Sequence, residues 1–219
     1  MLSAKNLAAI ESEGRRLGYA ARRDPARPVP FYEGWALADL AAHTASIHGR
    51  TTLICKELPT ERISAPRLPE GADPIDWYEE TLEEMLGVLT ETDPETSCWA
   101  LGGGTNVGFW ERRMVIETGV HRWDAYDAHG EADRLLDVVA GLGLDEFGAL
   151  WWPQLGDIQP LELHARDLDR SYVFGEAPMR TVEADASQLY LRLMGRRSSV
   201  ELPDDWATAV DGLGKPPKR

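Results

Sequence analysis

The chain has 219 residues, of which 43% are hydrophobic and 27% charged, a composition that excludes a disordered or collagen-like chain. Asp and Glu number 37 against 23 Lys and Arg, which gives a net charge of −14. Binding to nucleic acid or to an anionic membrane needs clustered cations, so the sequence predicts neither partner. No apolar run approaches the roughly 20 residues that cross a bilayer, and the N-terminus lacks the apolar core of a signal peptide. We therefore expect a cytoplasmic protein.

Apolar residues at helical spacing predict five helices in the first two thirds of the chain. The predicted helices cover residues 7–22, 35–57, 77–89, 106–129 and 135–151. Prolines separate the first three, and Gly102–Gly104 form a break before the fourth.

Beyond Trp152 the pattern changes to short alternating runs, which are typical of strands. Strands are predicted over 161–165, 172–174, 181–183 and 200–202, with a short helix over 186–194. The sequence thus predicts an α+β fold, in which a helical bundle of residues 1–157 precedes a small α/β domain of residues 158–219.

Glu117 and His121 lie four residues apart, so they project from one face of the fourth predicted helix. That face also carries Trp110 and Met114 and should therefore face the bundle core. A buried carboxylate needs a cation beside it, and a metal ion would supply one. The alternative is a plain ion pair between Glu117 and Arg112 or Arg113.

His43 lies on the inward stripe of the second predicted helix and offers a third ligand. His48, five residues later, points about 140° away and cannot reach the same ion. Two histidines and one glutamate leave coordination positions open, which is typical of catalytic metal sites. The alternative for any single histidine is a hydrogen-bonded core residue, and we assign that role to His48, His129 and His164.

Two cysteines, Cys55 and Cys98, are too few for a disulfide scaffold and lack the spacing of a thiolate metal site. We interpret both as free, buried thiols. A nucleophilic role for one of them stays open at this point.

Three segments resemble the mycothiol-dependent maleylpyruvate isomerase family, whose helical bundle is DinB-like. FYEGWALADLAAHTASIHGR is similar to the second helix of that family, and FWERRMVIETGVHRWDAYDAHG to its signature helix. QLYLRLMGRRS resembles the end of the family's C-terminal domain. The three segments occur in the family's order and span most of the chain.

The resemblance implies a DinB-like four-helix bundle that binds a divalent metal, usually zinc, through His43, Glu117 and His121. Nickel and iron also suit such a ligand set. The family often has a histidine where this chain has Ile116, but an adjacent residue points about 100° away, so the three ligands are kept. The resemblance also implies that Arg196 of the C-terminal domain contributes to the active site.

The cosubstrate implied is mycothiol, the low-molecular-weight thiol of actinobacteria. Our hypothesis is a metal-activated thiolate that adds to an electrophilic small molecule, which makes the protein a mycothiol-dependent isomerase or thiol S-transferase. Arg196 and Arg113 are candidates to bind a substrate carboxylate, and Asp124 a candidate to orient His121.

Two other classes of function stay open at the level of sequence. One is a metal-dependent hydrolase, in which the open coordination position holds water. The other is a non-catalytic protein that binds a small apolar molecule or takes part in a stress response. For oligomeric state we expect a monomer or a homodimer.

Overall fold

The computed structural model describes residues 4–211 and 213, and the chain divides into two compact units. The first unit runs up to Asp133 and is helical, and the second begins at Arg134 and combines helices with a small sheet. The predicted α+β fold is therefore confirmed. None of the described helices has the length and apolar character needed to cross a membrane.

Four long helices form the first unit. They are α1 (Ala4–Arg23), α2 (Leu37–Glu57), α3 (Pro74–Glu91) and α4 (Val107–Ala128). Helix α2 packs on α3 and α1 packs on α4, while contacts of α1 with α3 and of α2 with α4 close the bundle. Trp110 and Trp123 are buried in its core. The four predicted helices are thus confirmed, with ends that differ by a few residues.

Local side-chain chemistry explains where two of these helices begin. Asp73 accepts hydrogen bonds from the backbone N–H groups of Ile75 and Asp76, at 2.8 and 3.0 Å, at the start of α3. Asn106 caps α4 by accepting from the N–H of Phe109 at 3.1 Å. The predicted glycine break before α4 is a tight turn in which Gly102 has φ +61°, a conformation that favours glycine.

A buried ionic network joins α1 to α4. The Arg122 side chain is fully buried, and its Nε donates to Oε2 of the buried Glu13 at 2.6 Å. Arg122 also pairs with Asp133, which accepts a further hydrogen bond from Arg16 at 2.7 Å. Burial raises the pKa of Asp133, but the two arginines outweigh it and hold that pKa below its usual value.

The second unit contains three helices and a three-stranded sheet. Its elements are α5 (Asp137–Glu146), β1 (Leu161–Ala165), β2 (Arg170–Phe174), β3 (Thr181–Ala184), α6 (Ala186–Leu193) and α7 (Asp204–Val210). Strand β1 is central, antiparallel to β2 and parallel to β3. Alternate residues of β1 are buried, as period-two patterning predicts.

Two predictions for this unit are wrong in detail. The segment 200–202 is not a strand, because it is three residues long and runs into Pro203, which lacks the N–H a ladder requires. The predicted fifth helix is α-helical only to Glu146, after which Phe147–Trp151 form a π-helical turn.

Helix α5 packs against α6, so packing places it in the second unit. The sequence instead predicts a domain boundary between residues 157 and 158. The domain bounds 1–157 and 158–219 stay a prediction.

Candidate metal centre

Three side chains from two helices of the first unit converge in one cluster. His43 comes from α2, and Glu117 and His121 come from α4, one helical turn apart. One ligand atom of each residue lies within 4.8 Å of the others. Nε2 of His43 is 3.5 Å, and Nε2 of His121 3.1 Å, from the same oxygen, Oε1 of Glu117. The structure therefore brings together all three residues that the spacing selected as metal ligands.

The second oxygen of Glu117, Oε2, pairs with Arg113 one turn earlier on α4. The ion pair weighed as an alternative to a metal is thus present, and it occupies the oxygen that does not face the histidines. Burial raises the pKa of Glu117, but Arg113 and His121 outweigh this effect and hold the pKa well below its usual value. The glutamate is consequently an anion with Oε1 directed at two imidazole nitrogens.

His121 is held in place through its other ring nitrogen. Nδ1 lies 3.0 Å from Oδ2 of Asp124, whose side chain is fully buried. Burial lowers the pKa of His121, but the charge of Glu117 and the hydrogen bond with Asp124 together raise it to about 9. Metal-binding histidines commonly have a carboxylate in this position, which fixes the ring and leaves Nε2 available.

Replacing Asp124 with asparagine is expected to weaken divalent-metal binding by about 10- to 100-fold, because His121 loses the carboxylate that orients it. Competition with a chromophoric chelator measures the affinity. Asp127→Asn, one turn further along α4, serves as the matched control and should bind metal as the wild type does. Equal affinities for Asp124→Asn and wild type would rule out the orienting role.

Two aromatic side chains from the segment before α2 border the cluster. The ring centres of Trp35 and His43 are 5.3 Å apart, those of Tyr32 and His121 5.9 Å, and Tyr32 stacks on Trp35 at 4.8 Å. This wall was not predicted from sequence, where Trp35 is the first residue of the second predicted helix and Tyr32 precedes it. Three aromatics within residues 31–35 were the available signal. His43, with 36% of its side chain exposed, provides the accessible edge.

The other three histidines have hydrogen-bond partners outside the cluster, but only His48 is a core residue as predicted, whereas His129 and His164 are partly exposed. His48 is buried and lies 2.9 Å from Thr118, and burial lowers its pKa to about 3. His129 contacts the carbonyl oxygen of Ala20 at 2.9 Å, and His164 lies 3.1 Å from Ser171.

The two cysteines are free and buried, which confirms their interpretation as packed thiols. Burial raises the pKa of Cys98 and raises that of Cys55 to about 12. Neither environment favours the thiolate form that a nucleophile requires.

Arg196 is buried within the second unit, where its guanidinium donates to the carbonyl oxygen of Met194 at 3.0 Å. Its assignment to the active site stays a prediction. Arg113, the other arginine selected for substrate binding, is engaged with Glu117.

The first unit is thus a four-helix bundle with a candidate metal centre of two histidines and one glutamate. The family model described as the mycothiol maleylpyruvate isomerase N-terminal domain matches residues 7–126, more than half of the chain. The chain belongs to this family.

Two solved structures share its fold: a mycothiol-dependent maleylpyruvate isomerase and a mutant of that isomerase. Each is 15% identical in sequence, with a TM-score of 0.70, over 91% of this chain and 94% of the other. No curated protein matches the sequence.

Proposed function

We propose that the protein is a divalent-metal-dependent and mycothiol-dependent enzyme that adds the thiol to an electrophilic small molecule. The product is either a cis–trans isomer of the substrate or its thiol adduct. The observation that carries the proposal is the cluster of His43, Glu117 and His121, with three ligand atoms within 4.8 Å. Membership of the family supports mycothiol as the cosubstrate.

The chemistry of the cluster fits a divalent metal. Two imidazole nitrogens and one carboxylate oxygen suit zinc, nickel or iron, and three protein ligands leave positions open. His121 is oriented by Asp124, and Arg113 occupies the oxygen of Glu117 that the ligand set does not need. A metal held by these residues would lower the pKa of a bound thiol and make it a thiolate at neutral pH.

In the proposed reaction, the sulfur of mycothiol forms a bond to one carbon of an electron-poor double bond, and the electron pair moves to the electron-withdrawing group. Rotation about the resulting single bond and expulsion of the thiolate give the isomer. Protonation of the adduct instead gives the S-transfer product. Tyr32 and Trp35 border the histidine side of the site, and we assign substrate-carboxylate binding in the second unit to Arg196.

Calorimetric titration of mycothiol into zinc-loaded and chelator-treated protein tests this function. We expect binding only to the loaded wild type, and none to His43→Ala, because that variant loses a ligand. His43 is partly exposed, so its loss should leave the bundle folded. His164→Ala, which changes an exposed histidine outside the cluster, is the matched control and should bind mycothiol normally.

Two other outcomes of these titrations would favour a different function. Zinc binding that depends on His43 without any mycothiol binding would replace the thiol-dependent enzyme with a metal-dependent hydrolase. Protein that takes up no zinc, nickel or iron would overturn the catalytic proposal and leave a small-molecule-binding protein.

A further inference from the structure

A second arginine of the bundle, Arg50, lies on the helix that carries His43 and has no acidic partner among residues 4–211 and 213. It follows His43 by seven residues on α2, so the two side chains leave the same face two turns apart. Its guanidinium lies 5.4 Å from the centre of the Trp110 ring. Among residues 4–211 and 213, Arg50 forms no hydrogen bond or ion pair, and its Nε is buried without an acceptor.

Charges of the metal centre act on this guanidinium. Burial lowers the pKa of Arg50, the charge of Glu117 raises it, and the charges of Arg62 and Arg113 lower it. Glu117 is the one carboxylate among these groups, and it is already paired with Arg113. Among residues 4–211 and 213, Arg50 therefore has the Trp110 ring and the charge of Glu117 in its surroundings but no ion-pair partner of its own.

An uncompensated, half-buried guanidinium is costly to stability, because it loses solvation without gaining a partner. It is also unusual in this chain, whose acidic residues outnumber its basic ones by 37 to 23. Arg15, Arg22 and Arg23, all more exposed, each pair with at least one carboxylate. A site that keeps a buried donor unpaired is typical of a protein that pairs it with a ligand.

The positive charge of Arg50 gives the sign of that ligand. Glu117, the carboxylate whose charge acts on Arg50, is engaged with Arg113, and Arg50 forms no ion pair among residues 4–211 and 213, so an anion would complete its surroundings. A planar guanidinium matches a carboxylate best, since it donates two parallel hydrogen bonds.

We propose that Arg50 is a substrate-binding residue that receives a carboxylate of the small molecule entering the site, with the buried ring of Trp110 supporting its guanidinium. Two helical turns span about 10 Å, so the bound carboxylate lies several ångströms from the reacting carbon. Arg50 thereby selects electrophiles that carry an acid group at that separation. Its role in catalysis rests on the proposed function, whereas its binding of an anion does not.

Titration of succinate into chelator-treated protein tests the proposal, with calorimetry and the intrinsic tryptophan fluorescence of the protein as readouts. Because no metal is bound in the chelator-treated protein, succinate cannot bind through a metal ion, and the titration measures its binding to arginine side chains. We expect Arg50→Gln to bind succinate about 10- to 100-fold more weakly than wild type, the loss of one charge-assisted pair. Arg50→Lys should retain part of the affinity, and the exposed Arg112→Gln should retain all of it. Neutral succinamide should bind none of the four proteins.

Thermal unfolding of the same variants provides a second readout. Arg50→Gln removes an unpaired buried cation, so its Tm should equal or exceed that of wild type. Equal succinate affinity in wild type and Arg50→Gln would overturn the proposal, as would the absence of succinate binding to wild type. If Arg50→Gln does not fold, loss of binding must instead be judged from Arg50→Lys. Succinate binding without mycothiol binding would keep the anion site and reject the thiol-dependent enzyme.

Discussion

Replacing Glu117 with glutamine is expected to weaken binding of a divalent metal by more than about 100-fold. The substitution removes the only charged ligand of the His43, Glu117 and His121 cluster and keeps the shape of the side chain. Loss of a residue that merely supports a metal ligand costs about 10- to 100-fold, so loss of the ligand itself should exceed that range. Metal content after dialysis and chelator competition measure the effect.

Glu111→Gln is the matched control, because Glu111 is a buried glutamate of the same helix outside the cluster. It should bind metal as wild type does. Circular dichroism and thermal unfolding establish that Glu117→Gln is folded, since Arg113 loses its carboxylate in this variant. Undiminished metal binding by folded Glu117→Gln would contradict the assignment and leave Glu117 as the partner of Arg113 alone.

Replacing Arg122 with methionine is expected to lower the free energy of unfolding by about 3–5 kcal/mol, the usual cost of removing one partner of a buried ion pair. The arginine is fully buried, and its loss removes the 2.6 Å pair with Glu13 in the core between α1 and α4, where Glu13 keeps only the longer contact with the part-buried Arg16 at 3.2 Å among residues 4–211 and 213. Equilibrium unfolding in urea measures the change.

Arg15→Met is the matched control, since Arg15 pairs with Glu11 and Glu83 on the surface. Exposed pairs of this kind contribute about 1 kcal/mol or less. The double variant Glu13→Gln with Arg122→Met should recover part of the stability, because it no longer buries a carboxylate that has lost its closer arginine partner. A change below about 1 kcal/mol for Arg122→Met alone would show that the network does not stabilise the bundle.

Helical periodicity was sufficient to predict the bundle. Each of α1 to α4 spans about 20 residues, so its apolar stripe repeats several times and prolines or caps mark its ends. The short elements of the second unit carry less signal. Residues 200–202 resemble a strand by composition, but only the hydrogen-bonding neighbours available in the folded unit decide that they are not one.

The ligand cluster was predictable for the same reason. Glu117 and His121 share a helix, and four-residue spacing fixes their common face before any tertiary contact forms. Predicting His43 as a third ligand required one further assumption, that the inward face of α2 packs against the inward face of α4. The contact between α2 and α4 agrees with this assumption. The aromatic residues of the wall, Tyr32 and Trp35, are visible in the sequence, but helical periodicity could not place them at the cluster, because both precede the first residue of α2.

The sequence by itself determined the helices of the bundle and the two faces that carry His43, Glu117 and His121, since helical geometry is local. Only the tertiary structure decided that Arg113 rather than Arg112 pairs with Glu117, and that Arg50 lies against Trp110 with no acidic partner in the described part of the chain, residues 4–211 and 213. Both are pairings of long, flexible side chains. Their partners depend on which groups packing brings within a few ångströms, and spacing along the chain does not encode that distance.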